Sequence, residues 1–197
     1  MIKIAITGGI GSGKSYVSSI FESFDVPIYN ADENSKKIVS SSIEIKDRLI
    51  DILGDECYKG GILNKKLLAD FIFSSDCNRL LVNSIIHPYV YMDFLKWSKE
   101  HYYSNIIGME SAILFESGFD KYVDRVVMVY APLELRIERA MARDNASRDE
   151  IKARISAQMD DEKKRHLSHY VIDNSGDVEL ILQVKKVIEQ LLKEFRE

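Results

Sequence analysis

Apolar residues fall along this chain in two rhythms, and the change between them divides it. Ile2 to Thr7 is a nearly unbroken apolar run that ends at glycine, the pattern of a strand buried on both faces. From Lys14 the spacing changes to threes and fours, placing Val17, Ile20, Phe21 and Phe24 on one helical face. Val26 to Asn30 then predicts a second strand, with Pro27 tolerable at its start. Strand, loop, helix and strand in this order open a parallel sheet with crossover helices.

Helical spacing dominates from Asp32 to about His101. Ile45, Leu49 and Ile52 form one stripe, and Leu67, Leu68, Phe71 and Ile72 another, with Gly60-Gly61 separating the two helices. An aromatic-rich segment runs from Arg79 to Trp97, and His87-Pro88 is expected to end or kink a helix there. Strand patterns resume at Ile106 to Glu110 and at Arg125 to Tyr130, with Leu114 to Gly118 as a loop or short helix between them. Leu133 to about Arg143 predicts an arginine-rich helix, and Ser147 to Arg165 another, charged on most faces. Tyr170 to Asp173 predicts the last strand. After a turn at Asn174-Ser-Gly176, a final helix is expected from near Asp177, burying Ile181, Val184, Ile188 and Leu191. The expected fold is a single α/β domain with a parallel sheet flanked by helices. Its core is residues 1–31, 104–132 and 168–197, with a helical insertion over about 32–103 and a helical lid over about 133–167.

Composition narrows the setting. Hydrophobic residues make up 46% and charged residues 29% of the 197, a globular balance that argues against disorder. A net charge of −4 gives no electrostatic reason to expect a nucleic-acid partner. Cys57 and Cys77 read as lone reduced thiols. The N-terminal apolar run is too short for a signal-peptide core, and no apolar stretch approaches the roughly 18 residues that span a bilayer. The expectation is a soluble cytoplasmic protein without a membrane or an obligate protein partner.

The chemistry begins at Gly8 to Ser15, G-G-I-G-S-G-K-S, a full match to the phosphate-binding pattern G-x-x-x-x-G-K-[ST]. Its setting, after an apolar strand and at the head of an amphipathic helix, is the one the chemistry needs. The glycines let successive N–H groups point at phosphate oxygens, and the helix adds its positive end. Lys14 is expected to reach the β- and γ-phosphates of ATP, and the Ser15 hydroxyl to bind magnesium. Gly9, Ile10, Gly11, Ser12, Gly13 and Tyr16 complete the expected ATP contact. A GTPase would need N-K-x-D, and Asn64-Lys-Lys-Leu67 lacks the aspartate; no transporter signature is present. A small P-loop kinase remains. Asp32 lies just past the second predicted strand and reads either as a helix N-cap or as the carboxylate that takes the proton of an acceptor hydroxyl. Arg136, Arg139 and Arg143 recur at threes and fours, a solvated face or a set that closes on a triphosphate. His166 and His169 lack a third spaced ligand, so the spacing favours no metal site there.

These residues resemble a particular family. Thr7 to Ser15 followed by Asn30-Ala-Asp32 is similar to the opening of the dephospho-CoA kinases. Gly61-Ile-Leu-Asn-Lys65, Asn83-Ser-Ile-Ile-His-Pro88, Ile113-Leu-Phe-Glu116, Ala157-Gln158 and Val171-Ile-Asp-Asn-Ser-Gly176 resemble its later motifs in order. The resemblance implies transfer of the ATP γ-phosphoryl group to the ribose 3′-hydroxyl of dephospho-CoA, the alternative being another nucleotide or metabolite kinase. It implies Asp32 as base, Arg139 as a transition-state arginine, Arg143 and Asn174 beside ATP, and an acceptor held by the helical insertion through Lys36, Lys65 and His87. Lys36 and Lys65 stand where the family often has arginine, and Glu110-Ser-Ala stands in place of a D-x-P triplet.

Overall fold

The computed structural model describes residues 1–176 and 179–195, and in it the predicted strands pair into one five-stranded parallel sheet. In chain order the elements are β1 (Ile2–Thr7), α1 (Lys14–Ser23), β2 (Ile28–Asn30), α2 (Ala31–Ser41), α3 (Ile43–Leu53), β3 (Tyr58–Lys59), β4 (Ile62–Leu63), α4 (Lys65–Ser74) and α5 (Asp76–Glu100). They continue with β5 (Ile106–Glu110), α6 (Leu114–Ser117), β6 (Arg125–Tyr130), α7 (Leu133–Asp144), α8 (Arg148–Ser156), α9 (Asp161–Leu167), β7 (Tyr170–Asp173) and α10 (Leu180–Glu194). The strand order is β2-β5-β1-β6-β7. Because β1 lies between β5 and β6, Ile4, Ala5 and Ile6 have no exposure, which is why its sequence shows no polar alternation.

Backbone packing separates two compact units, Met1–Asn30 with Ser98–Glu197, and Ala31–Trp97. In the first, α1 and α10 close one apolar core through Val17, Phe21, Val184 and Leu191 against Ile4, Ile6, Val127 and Val129. The inward stripe of α10 is Val184, Val187 and Leu191; Ile181, expected inside, is exposed. Its expected start at Asp177 lies outside the described residues.

In the second unit α3 buries Ile45 and Leu49, and the Ser42 hydroxyl caps it by accepting from the Ile45 N–H. Gly60-Gly61 does more than separate helices. Both residues have positive φ, 59° and 81°, and they turn a short antiparallel hairpin of β3 and β4. That two-residue glycine turn is the geometry that matches strand twist. Asn64 then caps α4 by accepting from the Leu67 N–H.

Of the end or kink expected at His87-Pro88, the end does not occur: α5 runs on through Pro88. The ring removes the bond to the Ser84 carbonyl, but Ser84 and Pro88 are both on the exposed side, where the freed group is open to solvent. The stretch from Ser147 to Arg165 is two helices, not one. α8 starts from a capping box between Ser147 and Glu150, and α9 starts at Asp160, whose carboxylate accepts from the Glu162 and Lys163 N–H groups. No helix among the described residues is long and apolar enough to cross a membrane.

Candidate active site

The loop between β1 and α1 is built by contacts from distant parts of the first unit. Gly11 and Gly13 have φ of 78° and 91°, where L side chains are strained. A methyl at Gly11 would also meet the Arg136 backbone, and one at Gly13 the Asn174 amide. The loop is therefore enclosed as well as turned. The Ile10 N–H donates to Gln158 Oε1 at 3.1 Å, and the Ile10 carbonyl accepts from Arg136 Nε at 2.9 Å. Asn174 Nδ2 donates to the Ser12 carbonyl at 2.7 Å. The Ser12 hydroxyl is buried with no hydrogen-bond partner among the described residues.

Lys14 and Ser15 begin α1, at the positive end of its dipole. Lys14 Nζ donates to the Gly9 carbonyl at 3.4 Å, a long bond that leaves the ammonium folded over the loop. The Ser15 hydroxyl donates to Glu110 Oε1 at 2.7 Å. Glu110 is buried and ends β5, in register with Ile6 of β1 on one side and Asn30 of β2 on the other. The carboxyl ends of three strands thus present an acid at the phosphate loop. From sequence alone Glu110 was only a departure from a family triplet. The available signal was an acid closing a second buried strand. Tyr16, on the same first turn, is exposed.

The three arginines of α7 part company. Arg136 is buried and pairs with Asp161 while bonding Ile10, so it serves the loop. Burial pushes the Asp161 carboxyl above its ordinary value, and the charges of Arg136, Lys164 and Lys14 pull it back. Arg139 is half-buried and donates to the Asn174 carbonyl at 3.0 Å. Arg143 is exposed and bonds Asp144 at 2.7 Å; Arg154 shares that carboxylate at 3.1 Å. Hydrogen bonding to Arg143 holds the Asp144 carboxyl below its ordinary value. A cavity of about 420 Å³ is lined by Arg136 from α7 and by Asp160, Asp161 and Glu162, a set in which acids outnumber the one arginine.

In the second unit Asp32 lies inside the first turn of α2 rather than capping it, two residues after Asn30. Lys36 and Lys65, far apart in sequence, line one groove of about 340 Å³ with Val39, Leu68, Ile72 and Ile86. His87 follows Ile86 on α5 and is half-buried. His169 Nδ1 accepts the Val126 N–H at 3.1 Å, and no cluster of three metal-binding side chains occurs among the described residues.

The family profile described as dephospho-CoA kinase matches residues 2–179. A protein of Bacteroides fragilis named dephospho-CoA kinase is 53% identical over 187 residues, covering 95% of this chain and 91% of that one. Among solved structures, TT1252 from Thermus thermophilus is 32% identical with a TM-score of 0.84, covering 97% of both chains. Dephospho-CoA kinase from Campylobacter jejuni superposes with a TM-score of 0.69 at 24% identity over 98% of both chains, a likeness of fold.

Proposed function

The chain belongs to the dephospho-CoA kinase family, and we propose that it transfers the γ-phosphoryl group of ATP to the ribose 3′-hydroxyl of dephospho-CoA, giving coenzyme A. The observation that carries the phosphoryl-transfer chemistry is the pairing of Ser15 with the buried Glu110 at the mouth of the phosphate loop, beside Lys14.

The loop amides and Lys14 cradle the β- and γ-phosphates, and Lys14 stabilises charge that grows on the transferred group. The Ser15 hydroxyl and the Glu110 carboxylate are hard oxygen donors held within hydrogen-bond contact. That set suits magnesium, a hard cation that takes few protein ligands. When bound there, the ion would supply positive charge to offset that of the phosphates. Asp32, just past the carboxyl end of β2, orients the acceptor hydroxyl and takes its proton. Arg139, tethered to the Asn174 carbonyl, turns its planar fork to the γ-phosphate as the lid closes. Arg143 leaves Asp144 to join the triphosphate. Asn174 contributes to the ATP site by shaping the loop through Ser12.

Residues 31–97 serve as the acceptor-holding insertion and about 133–167 as the lid. The apolar groove with Lys36 and Lys65 at its edge suits an acceptor that joins a diphosphate to a long, mostly apolar arm. His87 stands next along α5 as a further acceptor contact. The decisive assay is ADP release coupled to an indicator reaction, with magnesium and ATP, in the presence of dephospho-CoA, nucleosides or shikimate. Release that requires dephospho-CoA is expected. Equal release with another acceptor, or with none, rejects the assignment.

A further inference from the structure

We propose that Lys164 is a positioning residue for phosphoryl transfer: its buried ammonium locks the turn that follows Glu110 to the segment that carries Gln158, and so holds both sides of the phosphate site in register. The proposal rests on the kinase reading above, but its first readout does not.

Lys164 has no exposure. Its Nζ donates to the Ala112 carbonyl at 2.9 Å and pairs with Glu116 Oε1 at 3.0 Å. Taking both charges out of water costs more than their attraction returns unless further hydrogen bonds are made. A leucine would tie α9 to the sheet at lower cost. What only a donor can do here is hold the Ala112 carbonyl, which lies in the turn between β5 and α6.

The bonds lead to the phosphate site from there. Ala112 is two residues past Glu110, the partner of Ser15. Its carbonyl also accepts from Gln158 Nε2 at 3.5 Å, and Gln158 Oε1 takes the Ile10 N–H at 3.1 Å. Glu116 Oε1 accepts the Met159 N–H at 2.7 Å, fixing the backbone beside Gln158. Asp161, the first residue of α9, pairs with Arg136, which holds the Ile10 carbonyl. Both peptide groups flanking Ile10 thus trace back to α9, which Asp161 ties to Arg136 and Lys164 ties to the turn after β5. One oxygen of Glu116, Oε2, is buried without a hydrogen-bond partner among the described residues. A pair kept only for stability would be expected to satisfy that oxygen as well.

The test uses the full chain in three forms: Lys164→Met, Glu116→Gln and the double variant. Without nucleotide, amide exchange of residues 8–15 is expected to quicken in Lys164→Met; change confined to 112–117 and 159–167 would mark a local brace and overturn the proposal. In the kinase assay, half-saturating magnesium is expected to rise about ten- to a hundredfold, as when groups behind a metal ligand are removed, with acceptor KM unmoved. The double variant removes both charges and is expected to regain the wild-type melting temperature while its magnesium requirement stays high. Wild-type magnesium and ATP dependence in a double variant of wild-type stability refutes the positioning role. Should Lys164→Met fail to fold, Glu116→Gln and Gln158→Met, both close in size, decide the matter. A raised magnesium requirement in both supports the proposal, and wild-type dependence in either rejects it. If dephospho-CoA proves not to be the acceptor, the exchange measurement still judges Lys164.

Discussion

The phosphate loop and the apolar groove of residues 31–97 are built by different means. Around residues 8–15 the contacts are directional. Gln158, Arg136 and Asn174 each bond a named backbone atom of the loop, and two glycines are enclosed so closely that a methyl would collide. In residues 31–97 the candidate site is an apolar groove with two exposed lysines at its edge. Stabilising charge in a transition state demands donors fixed within fractions of an ångström. Holding a long flexible arm demands area and a few adaptable charges. The proposed roles fit that contrast: the phosphate motif is complete in this chain, and the charges at the groove are the lysines 36 and 65.

The comparison breaks if the residues assigned to phosphoryl transfer, in the loop or at Asp32, tolerate change. Asp32→Asn carries the largest expected effect, because it keeps size while removing the proton acceptor. Turnover on dephospho-CoA should fall by roughly two to four orders of magnitude with little change in melting temperature or ATP affinity. Steady-state rates paired with a thermal melt check this, and retained turnover rejects the base. Lys14→Ala should lower turnover by about a hundredfold or more in a folded protein, since the loop amides keep much of the ground-state binding. A near-normal rate, with folding verified by circular dichroism, would leave the loop without its assigned charge.

Smaller effects sharpen the contrast. Arg139→Lys preserves charge but not the fork that bonds the Asn174 carbonyl, so turnover should drop about tenfold with ATP KM nearly unchanged. Full activity would move Arg139 out of the transition state. On the groove side, Lys36→Ala or Lys65→Ala should each raise acceptor KM by only about fivefold, as befits an exposed charge worth about 1 kcal/mol. Lys36→Arg should match or improve the wild-type acceptor KM, which initial-rate curves over acceptor concentration would show. A loss of several hundredfold in either alanine variant would mean that the groove is as exacting as the loop.

The sequence by itself determined the strands, the phosphate loop and the family. Strands buried on both faces write themselves as unbroken apolar runs, and a phosphate cradle tolerates almost no substitution, so both leave local marks. Even the hairpin at Gly60-Gly61 and the break at Asp160 had local signals, a paired-glycine turn and a capping carboxylate. Tertiary structure alone decided which polar residues act together. Arg136, Arg139 and Arg143 look equivalent at helical spacing, yet one is buried under the loop, one reaches the end of β7 and one faces solvent with Asp144. Glu110 read as a departure from a motif until the register of β5 beside β1 placed it against Ser15. Lys164 sat in a charged stretch that usually means a solvated face, and it is fully buried. The reason is physical: apolar burial is a property of a segment and shows as a period, whereas a hydrogen bond joins two atoms whose separation in sequence, 95 residues for Ser15 and Glu110, leaves no period to read.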